Sequence, residues 1–406
     1  MAVVTETVSL SADTLQRIQR ELRSQGLDGW LLYNFHGLNS IASALLGLPA
    51  LTRRYLVLIP VAGRPVALTH RIEQHPWAGW IGENRVYLSW RELEAELAEM
   101  LAGVGRIAME YVPGDAVPYV DLVPAGALEM VRATGAEVVP SADLVSAFHA
   151  RWTAEGEASH RRASAAVQET AHAAFARIGD AVRGGKRLTE WELREWICTE
   201  LVRRGLAVGG DTIVAVNEHA ANPHYAPSAE QSAEFRTGDL VLIDLWGKED
   251  PAAVYADQTW MGFVGDAVPP RIQGIWEAVR DARDAAVEHA RARWAAGEPV
   301  AGWELDDAAR AVITERGYGD AFIHRTGHSI DQELHGSGPN LDNLETRDTR
   351  LLIPGVGFSV EPGIYLPGDI GFRSEINVWI GPDGPEVTTP EPQTEVLPIM
   401  SATSGR

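Results

Sequence analysis

The sequence predicts an α+β protein of two domains, the first spanning residues 1–155 and the second residues 156–406. Strand and helix signals alternate in the first part, which is typical of an α/β fold around a mixed sheet. The pattern of predicted elements changes near residue 155. Long helical patterns follow, and the chain ends in a strand-rich part. A length of 406 residues also suits two or three domains.

Short predicted elements alternate in the first domain. Ser11 can cap a helix that places Leu15, Ile18 and Leu22 on one face, and a second helix is predicted over 92–101. Apolar runs bounded by turn residues predict the strands. These strands are expected over 30–33, 55–60, 65–69, 106–111 and 137–139.

The elements of the second domain are longer. Alanine-rich and amphipathic patterns predict helices over 158–182, 189–204, 271–295 and 304–316. Apolar runs predict strands over 212–216, 240–246 and 254–263. A strand-rich end follows, and the last residues, 401–406, are expected to fray.

Charge and composition argue against several classes of protein. Lys and Arg number 35 against 56 Asp and Glu, a net charge of −21, whereas nucleic-acid binders usually carry a basic patch. The lone Cys198 excludes an internal disulfide framework and a multi-cysteine zinc site. The chain starts without the basic and apolar regions of a signal peptide, and stretches such as 56–62 are too short to cross a bilayer. We therefore expect a cytoplasmic enzyme that binds neither nucleic acid nor membrane.

Two aspartates lie in a predicted hairpin of the second domain. The apolar strand LVLIDLW is followed by the turn-rich KEDP and then by AVYADQTWMGF. If the turn is centred between Asp250 and Pro251, Asp244 lies directly opposite Asp257, with Cβ atoms about 4.5–5.5 Å apart. Two buried carboxylates at that distance stay ionised only with a cation between them. The alternative is that one aspartate ends a strand and the other lies in a turn.

Three histidines lie within twelve residues in HRTGHSIDQELHGSGP, which spans 324–339. His324 and His328 could share one helix face, but the glycines around them favour strand and loop. A single histidine is more often structural than functional. Three close together, His335 being the third, favour a functional site.

Two glutamates follow on predicted strands. In VGFSVEPGIY, residues 356–365, polar and apolar residues alternate, so Glu361 points away from the apolar face. In GFRSEINVWI the same period places Arg373, Glu375 and Asn377 on one face. A lone strand glutamate is more often exposed to solvent, but here one of the two lies beside an arginine that could orient it.

Together these residues predict a pair of divalent metal ions. Two aspartates, at least one histidine and two glutamates lie on strands of one sheet, and four carboxylates match the charge of two divalent ions. Carboxylates with one imidazole suit Mn, Co or Zn, and paired ions lie about 3.5–4 Å apart. Such a pair can bridge a hydroxide, clamp a carbonyl oxygen and hydrolyse an amide or ester.

The order and spacing of these motifs resemble the M24 metallopeptidases, the pita-bread family of Xaa-Pro aminopeptidases, prolidases, methionine aminopeptidases and creatinases. The resemblance covers the whole chain, and its specific motifs are NPHYAPS, LIDLW with YADQT, TGHSIDQELH, VEPGIY and FRSEI. It implies a creatinase-type α/β amino-terminal domain. A pita-bread catalytic domain would follow, with a curved, mainly antiparallel sheet covered by helices.

The resemblance also implies roles for individual residues. The implied ligands of two divalent ions per subunit are Asp244, Asp257, His328, Glu361 and Glu375. Glu361 would also carry the proton from the metal-bridging water to the leaving proline nitrogen. His224 and His335 would steady the substrate and the tetrahedral intermediate, with Thr259 and Arg373 supporting the ligands from behind.

Some positions depart from the family pattern around the substrate site. Asp244 and Asp257 are thirteen residues apart, two more than usual, and an even insertion keeps the strand face and only lengthens the loop. Trp260 replaces the arginine after the D-x-T motif, and Asp331 replaces a glycine after the metal histidine. Both are candidate substrate contacts, and a structural role is the alternative for each.

The implied activity is hydrolysis of Xaa-Pro bonds in di- or short peptides, because the two-domain length and the PHY, ELH and EPG motifs favour that branch. The bond is a tertiary amide without an N–H, and Tyr225 is a candidate for the apolar wall against the proline ring. Arg347 precedes Glu361 by fourteen residues, a position that resembles the prolidase arginine that grips a dipeptide's carboxylate. We therefore expect a proline dipeptidase. The alternative is that Arg347 is only a solvated charge of its loop.

Other activities stay open. They are an aminopeptidase P acting on longer peptides, a prolyl carboxypeptidase variant, a creatinase-like C–N hydrolase and a metal-free binding module. The complete ligand set argues against the last two. Family members with this amino-terminal domain are commonly homodimers, so a homodimer is implied, with Phe35, His36 and Asn39 lining the partner's site.

Overall fold

The computed structural model describes residues 9–209 and 212–401. These residues fall into two compact units, one ending at His149 and the other beginning at Ala150. The expected absence of a signal peptide concerns residues 1–8 in part, and the expected fraying concerns residues 401–406. Of these, residues 1–8 and 402–406 lie outside the described residues. Within the described ranges, we find no helix with the length and apolar character that a membrane span requires.

The first unit is a six-stranded mixed sheet with helices against it. The strand order is β4-β3-β2-β1-β5-β6, in which β2 pairs antiparallel with β1 and β3 and the other neighbours run parallel. The strands are β1 (Gly29–Asn34), β2 (Tyr55–Pro60), β3 (Val66–His70), β4 (Glu83–Tyr87), β5 (Arg106–Met109) and β6 (Glu137–Pro140). The helices are α1 (Ala12–Ser24), α2 (Ser40–Leu46), α3 (Trp90–Met100), α4 (Ala125–Arg132) and α5 (Ala142–Phe148).

Both faces of this sheet are buried. In β1, Trp30 and Leu32 join one apolar cluster while Leu31 and Tyr33 join another, as the alternation of side chains requires. Ser11 caps α1 as predicted, because its hydroxyl oxygen accepts a hydrogen bond from a first-turn N–H at 3.0 Å. The sequence analysis missed α2, α4, α5 and β4, since elements of eight residues or fewer show little periodicity.

The prediction that Asn39 lines a partner's site is wrong. Asn39 is fully buried, and its Oδ1 caps α2 by accepting a hydrogen bond from the Ala42 N–H at 2.9 Å. Its Nδ2 donates to Glu110 Oε2 at 2.7 Å, inside the unit. Phe35 and His36, by contrast, are exposed.

The second unit combines long helices with short strands. Its helices are α6 (Ala154–Arg183), α7 (Glu190–Arg203), α8 (Pro270–Ala295) and α9 (Gly302–Glu315). Its strands are β7 (Ile213–Val216), β8 (Leu240–Gly247), β9 (Ala256–Phe263), β10 (Ser329–Ile330), β11 (Gly357–Val360), β12 (Gly363–Leu366), β13 (Ile370–Arg373), β14 (Ile376–Gly381), β15 (Gly384–Val387) and β16 (Leu397–Pro398).

The strands of the second unit form a mainly antiparallel system in three hydrogen-bonded pieces. The pieces are β16-β9-β8-β7, β10-β11-β14-β15 and the β12-β13 hairpin, and only β16 with β9 is parallel. The single sheet that we expected is therefore divided. Pro362, which has no N–H to donate to a ladder, lies between β11 and β12, where two of the pieces separate.

Helices cover the faces of β8 and β9. On one face, Ile243 and Trp260 pack in a cluster with side chains of α6 and α7. On the other face, Leu242 and Met261 pack in a cluster with side chains of α8 and α9. By strand alternation, the candidate aspartates project from this second face.

Candidate metal centre

Asp244 on β8 and Asp257 on β9 are not directly opposite each other. The observed register pairs Asp244 with Thr259 and Trp246 with Asp257, so the predicted register is wrong. The cause is the turn, whose centre lies one residue later in the chain than predicted. There Asp250 Oδ1 accepts a hydrogen bond at 2.8 Å from the backbone N–H of Ala252. Because the offset along the strand is even, both carboxylates still project from one face.

His328 and Glu375 join Asp257 in one buried group. One ligand atom from each of the three lies within 4.8 Å of the others. The carbonyl of Ser329 can only accept, so the contact of 3.0 Å assigns the proton of His328 to Nδ1. The Nε2 lone pair then faces Asp257 Oδ2 at 3.6 Å, which is the arrangement that metal-binding imidazoles use.

Glu361 follows β11 and brings a further carboxylate to this group. Its Oε1 lies 3.4 Å from His328 Nε2 and accepts a hydrogen bond from the Ser359 hydroxyl at 3.0 Å. The Ser359 oxygen in turn accepts from the His328 N–H at 3.0 Å. Ser359 is a support that the sequence analysis did not single out, although its place two residues before Glu361 on the same strand face was a usable signal.

Arg373 and Thr259 tie down the outer oxygens of two carboxylates. Arg373 Nη2 donates to Asp244 Oδ2, and Arg373 Nε donates to Thr259 Oγ1 at 3.0 Å. The Thr259 hydroxyl donates to Glu375 Oε2 at 2.9 Å. One oxygen each of Asp244 and Glu375 is therefore held in place while the other is left for a different partner.

The buried carboxylates leave oxygens without protein partners. Asp244 Oδ1, Asp257 Oδ1 and Glu375 Oε1 are buried and accept no hydrogen bond in the described part of the chain. Burial, with the neighbouring carboxylates, raises the pKa of Asp244 to about 7 and the pKa of Asp257 to about 8. The same causes raise the pKa of Glu375 well above its ordinary value. Convergent oxygens that disfavour one another's charge, with an imidazole beside them, fit a divalent cation.

Two further side chains extend the network behind Arg373. The Tyr365 hydroxyl lies 2.7 Å from His324 Nε2 and 3.3 Å from Arg373 Nη1. His324 Nδ1 donates to a backbone carbonyl at 2.7 Å, and burial lowers the pKa of His324 to about 4, so the ring is neutral and its Nε2 accepts from Tyr365. The sequence analysis noticed His324 but gave it no role, because its partner Tyr365 lies on a strand 41 residues later.

His335 lies against His328, and His224 lies nearby. The His335 and His328 ring centroids are 4.4 Å apart with the rings nearly perpendicular. Although His335 keeps an exposed edge, partial burial and the adjacent His328 lower its pKa to about 4. His224 is exposed and contributes to that lowering, so the two histidines predicted to act on the substrate lie near each other.

Trp260 does not lie on the carboxylate face, which corrects its prediction as a substrate contact. The indole is buried in the apolar cluster beneath α6 and α7, and its Nε1 donates to Gln258 Oε1 at 3.0 Å. Side chains alternate along β9, so a residue next to Thr259 points to the opposite face. The sequence already contained that signal.

The other predicted substrate residues have defined contacts. Asp331 is buried, and its carboxylate accepts hydrogen bonds from the N–H of Glu333 at 2.7 Å and of Ser337 at 2.9 Å, so it organises its own loop. The Tyr225 hydroxyl donates to Glu190 Oε2 at 2.8 Å. Arg347 is exposed, and its guanidinium lies 4.9 Å from the centre of the Trp303 ring. Among the described residues it forms no ion pair with an acidic side chain.

Comparison with known proteins places the chain in a family. A sequence profile described as metallopeptidase family M24 matches residues 158–382. The chain is 35% identical over 191 residues to the Xaa-Pro dipeptidase of Lactobacillus delbrueckii subsp. lactis. That alignment covers 47% of each protein, so the chain spans about half the length of this curated relative.

Two solved structures share the fold over nearly the whole chain. An Xaa-Pro dipeptidase from Bacillus anthracis has a TM-score of 0.64 and 25% identity, covering 95% of this chain and all of its own. Dipeptidase PepE from Mycobacterium ulcerans has a TM-score of 0.71 and 24% identity, covering 96% of this chain and 98% of its own. The fold is therefore the predicted α+β pita-bread architecture. Because the family profile covers more than half of the chain, the protein belongs to metallopeptidase family M24.

Proposed function

We propose that this protein is a metal-dependent peptidase that hydrolyses Xaa-Pro bonds and prefers dipeptides that end in proline. The observation that carries the proposal is the buried group of carboxylates and one imidazole, three of whose oxygens have no protein partner in the described residues. The Xaa-Pro dipeptidase from Lactobacillus supports the choice of substrate. The proposed ligands are Asp244, Asp257, His328, Glu361 and Glu375.

Two divalent ions, Mn, Zn or Co, would supply electrophilic activation of the substrate carbonyl and of water. Glu361 accepts the proton of the attacking water and passes it to the proline nitrogen, which must be protonated to leave. Burial raises the pKa of Glu361, but the positive groups around it, Arg373 and Arg325 among them, outweigh burial and hold the pKa below its ordinary value. The carboxylate is therefore ionised near neutral pH and ready to accept that proton.

His224 and His335 would donate hydrogen bonds to the substrate carbonyl and to the negative charge that develops on its oxygen. The lowered pKa of His335, about 4, keeps its ring neutral, and a neutral imidazole still offers one N–H. Because the Xaa-Pro bond has no N–H, an enzyme that acts on the carbonyl oxygen loses nothing at this bond.

Arg347 is the proposed contact for the free carboxylate of a dipeptide. Its stacking on Trp303 supports this role, because a guanidinium held by its face keeps its N–H edges available for two carboxylate oxygens. Arg350 is not available in this way. It is buried and donates to Asp348 and to two backbone carbonyls.

The test is to incubate the metal-loaded protein with Ala-Pro, Ala-Pro-Ala and Ala-Ala-Pro and to identify the products. We expect Ala-Pro to be cleaved fastest. Arg347→Ala should raise KM for Ala-Pro at least tenfold with unchanged bound metal, and Arg347→Lys should recover only part, since an ammonium cannot bind both oxygens in one plane. Faster cleavage of Ala-Pro-Ala that is insensitive to Arg347→Ala would show an aminopeptidase P instead.

We also propose that the protein is a homodimer. Phe35, Leu88 and Trp90 are 37%, 50% and 54% exposed, and they border a cavity of about 550 Å³ in the first unit. Exposed aromatic and aliphatic side chains gathered at one place are typical of protein interfaces. A cytoplasmic location stays a prediction from the sequence.

A further inference from the structure

A second buried polar cluster lies in the second unit, at the start of α7. Glu190, the first residue of that helix, is fully buried. Its carboxylate accepts hydrogen bonds from four donors, all of them within residues 216–233. The donors are Val216 N–H at 2.8 Å, His219 Nδ1 at 2.9 Å, the Tyr225 hydroxyl at 2.8 Å and Ala233 N–H at 2.7 Å.

These donors enclose the segment that carries His224. His224 lies directly before Tyr225, and a tight turn connects them: Asn222 Oδ1 accepts from the His224 N–H, and the Asn222 carbonyl accepts from the Tyr225 N–H, both at 3.1 Å. The His219 ring stacks on the Tyr225 ring, with centroids 4.5 Å apart. One carboxylate therefore anchors the chain on both sides of the turn.

The opposite side of the turn is held by the metal centre's own support. Arg373 Nη1 donates to the Pro223 carbonyl at 3.4 Å. On the neighbouring strand, a Cβ at Gly371 would lie only 1.9 Å from the Ala220 carbonyl oxygen, so the segment rests directly on β13. β13 and Arg373 therefore contact one side of the turn, and Glu190 binds the chain on the other side.

The charge of Glu190 makes this anchor strong. Hydrogen bonds to an ionised acceptor are about twice as strong as those between neutral groups. Burial, and then the hydrogen bond to Glu190, raises the pKa of Tyr225 well above its ordinary value. The Tyr225 hydroxyl is consequently protonated at neutral pH and donates to Glu190.

We propose that Glu190 is a positioning residue that sets the place of His224 relative to the substrate carbonyl. The inference rests on the proposed function, in which His224 donates to that carbonyl. A glutamine at 190 would replace one carboxylate oxygen by an N–H₂ that faces two donors, so the turn would have to move. A displacement of about 1 Å at a catalytic group can cost on the order of 10²-fold in rate.

The experiment compares Glu190→Gln with Glu192→Gln, an isosteric change in the same helical turn. The Glu192 side chain accepts a hydrogen bond from the Thr189 N–H at 2.9 Å and so completes the capping box of α7. Glu192→Gln therefore tests the effect of disturbing the helix start alone. Both variants are made in the native protein and in His224→Ala. We measure kcat and KM for Ala-Pro, bound metal, and amide hydrogen exchange by mass spectrometry.

We expect Glu190→Gln to lower kcat about 10- to 100-fold, with KM changed less than threefold and bound metal unchanged. In the His224→Ala background the same change should lower kcat no further, because its effect acts through His224. Exchange should rise in peptides covering 216–233 and stay unchanged in Glu192→Gln. Tyr225→Phe, which removes only one donor, should show a smaller effect in the same direction.

An equal loss of kcat in both backgrounds would overturn the inference, because Glu190 would then act on stability or metal rather than on His224. Unchanged exchange over 216–233 in Glu190→Gln would also overturn it, whatever the activity. If Glu190→Gln does not fold, Tyr225→Phe decides by the same two criteria. A native protein that cleaves no Xaa-Pro peptide refutes the proposed function, and hydrogen exchange still tests whether Glu190 holds the His224 segment.

Discussion

In Asp244 and in Glu375, the two oxygens of the carboxylate have different surroundings. In each, one oxygen accepts a hydrogen bond from Arg373 or Thr259, and the other is buried without a partner in the described residues. Leaving a buried acceptor unpaired costs about 1–3 kcal/mol, so several at one place weaken the fold unless a cation compensates. The arrangement is therefore better explained by metal binding than by stability.

Replacing Asp257 or Glu375 by Ala should lower bound metal and abolish peptidase activity, because each is a proposed metal ligand in the buried group. Elemental analysis of the purified variants measures the metal. The control is Asp266→Ala, which changes an exposed aspartate shortly after β9, the strand that carries Asp257. This variant should retain metal and activity. Two metal ions per chain in Asp257→Ala would contradict the ligand assignment.

Among the elements, the loop 331–338 that carries His335 is braced from several directions. Asp331 accepts hydrogen bonds from within the loop, and Lys248, at the end of the β8-β9 hairpin, donates to the Gln332 carbonyl. The Lys248 ammonium also lies 4.5 Å from the centre of the Tyr255 ring. The lengthened hairpin thus supports the loop that holds His335.

If Asp331 organises this loop, Asp331→Ala should lower kcat about tenfold through misplacement of His335, with KM and bound metal nearly unchanged. Steady-state kinetics with Ala-Pro measure the two constants. Glu333→Ala, an exposed side chain of the same loop, is the matched control and should leave both unchanged. A raised KM at constant kcat would instead show that Asp331 touches the substrate.

Helix α6 is connected to the strands by a buried histidine with a pH-dependent effect on stability. His160 Nδ1 donates to the Tyr255 carbonyl at 2.6 Å, and Nε2 lies 2.7 Å from Thr388 Oγ1. Burial lowers the pKa of His160 from 6.5 to about 4. Below pH 6.5 the unfolded chain therefore binds a proton that the folded protein does not, and stability falls as the pH drops toward 4.

For this reason the free energy of unfolding of the second unit should decrease by about 2 kcal/mol between pH 7 and pH 5 on account of His160 alone. Denaturant unfolding at the two pH values measures the decrease. His160→Gln should show a smaller decrease than the native protein. His75→Gln, which changes an exposed histidine, should show the same decrease as the native protein. Equal decreases in all three proteins would show that His160 is not responsible.

At the scale of the whole molecule, assembly has to overcome electrostatic repulsion. Each copy carries a formal charge of −21, so two copies repel unless apolar contacts compensate. The exposed apolar residues around the cavity of the first unit offer such contacts. We therefore expect a dimer that becomes weaker at low ionic strength, where the repulsion is least screened.

Light scattering should give about 88 kDa at micromolar concentration, twice the 44.1 kDa of one chain. Introducing charge with Leu88→Glu and Trp90→Glu should shift the mass toward one chain. Val202→Glu, a control at a residue 57% exposed in α7, should not. A mass near 44.1 kDa for the native protein would refute the dimer.

Local patterns determined most of the elements, whereas the family resemblance supplied the assignment of individual candidate ligands. Helical and strand periodicity located α6 to α9 and the β8-β9 hairpin to within a few residues. Alternation alone placed Asp244 and Asp257 on one face of that hairpin, since an even offset does not alter the face. The same rule, applied to Trp260, would have shown that its indole points the other way.

Contacts between residues far apart in the chain decided the rest. The turn at Asp250 set the register of the hairpin. A hydrogen bond to Glu110 holds Asn39 inside the first unit. Glu190 connects the start of α7 to the segment that carries His224. A sequence pattern reports which face a side chain takes along its own element, because that depends on backbone geometry. It does not report which distant group satisfies a buried polar atom, because only packing brings the two together.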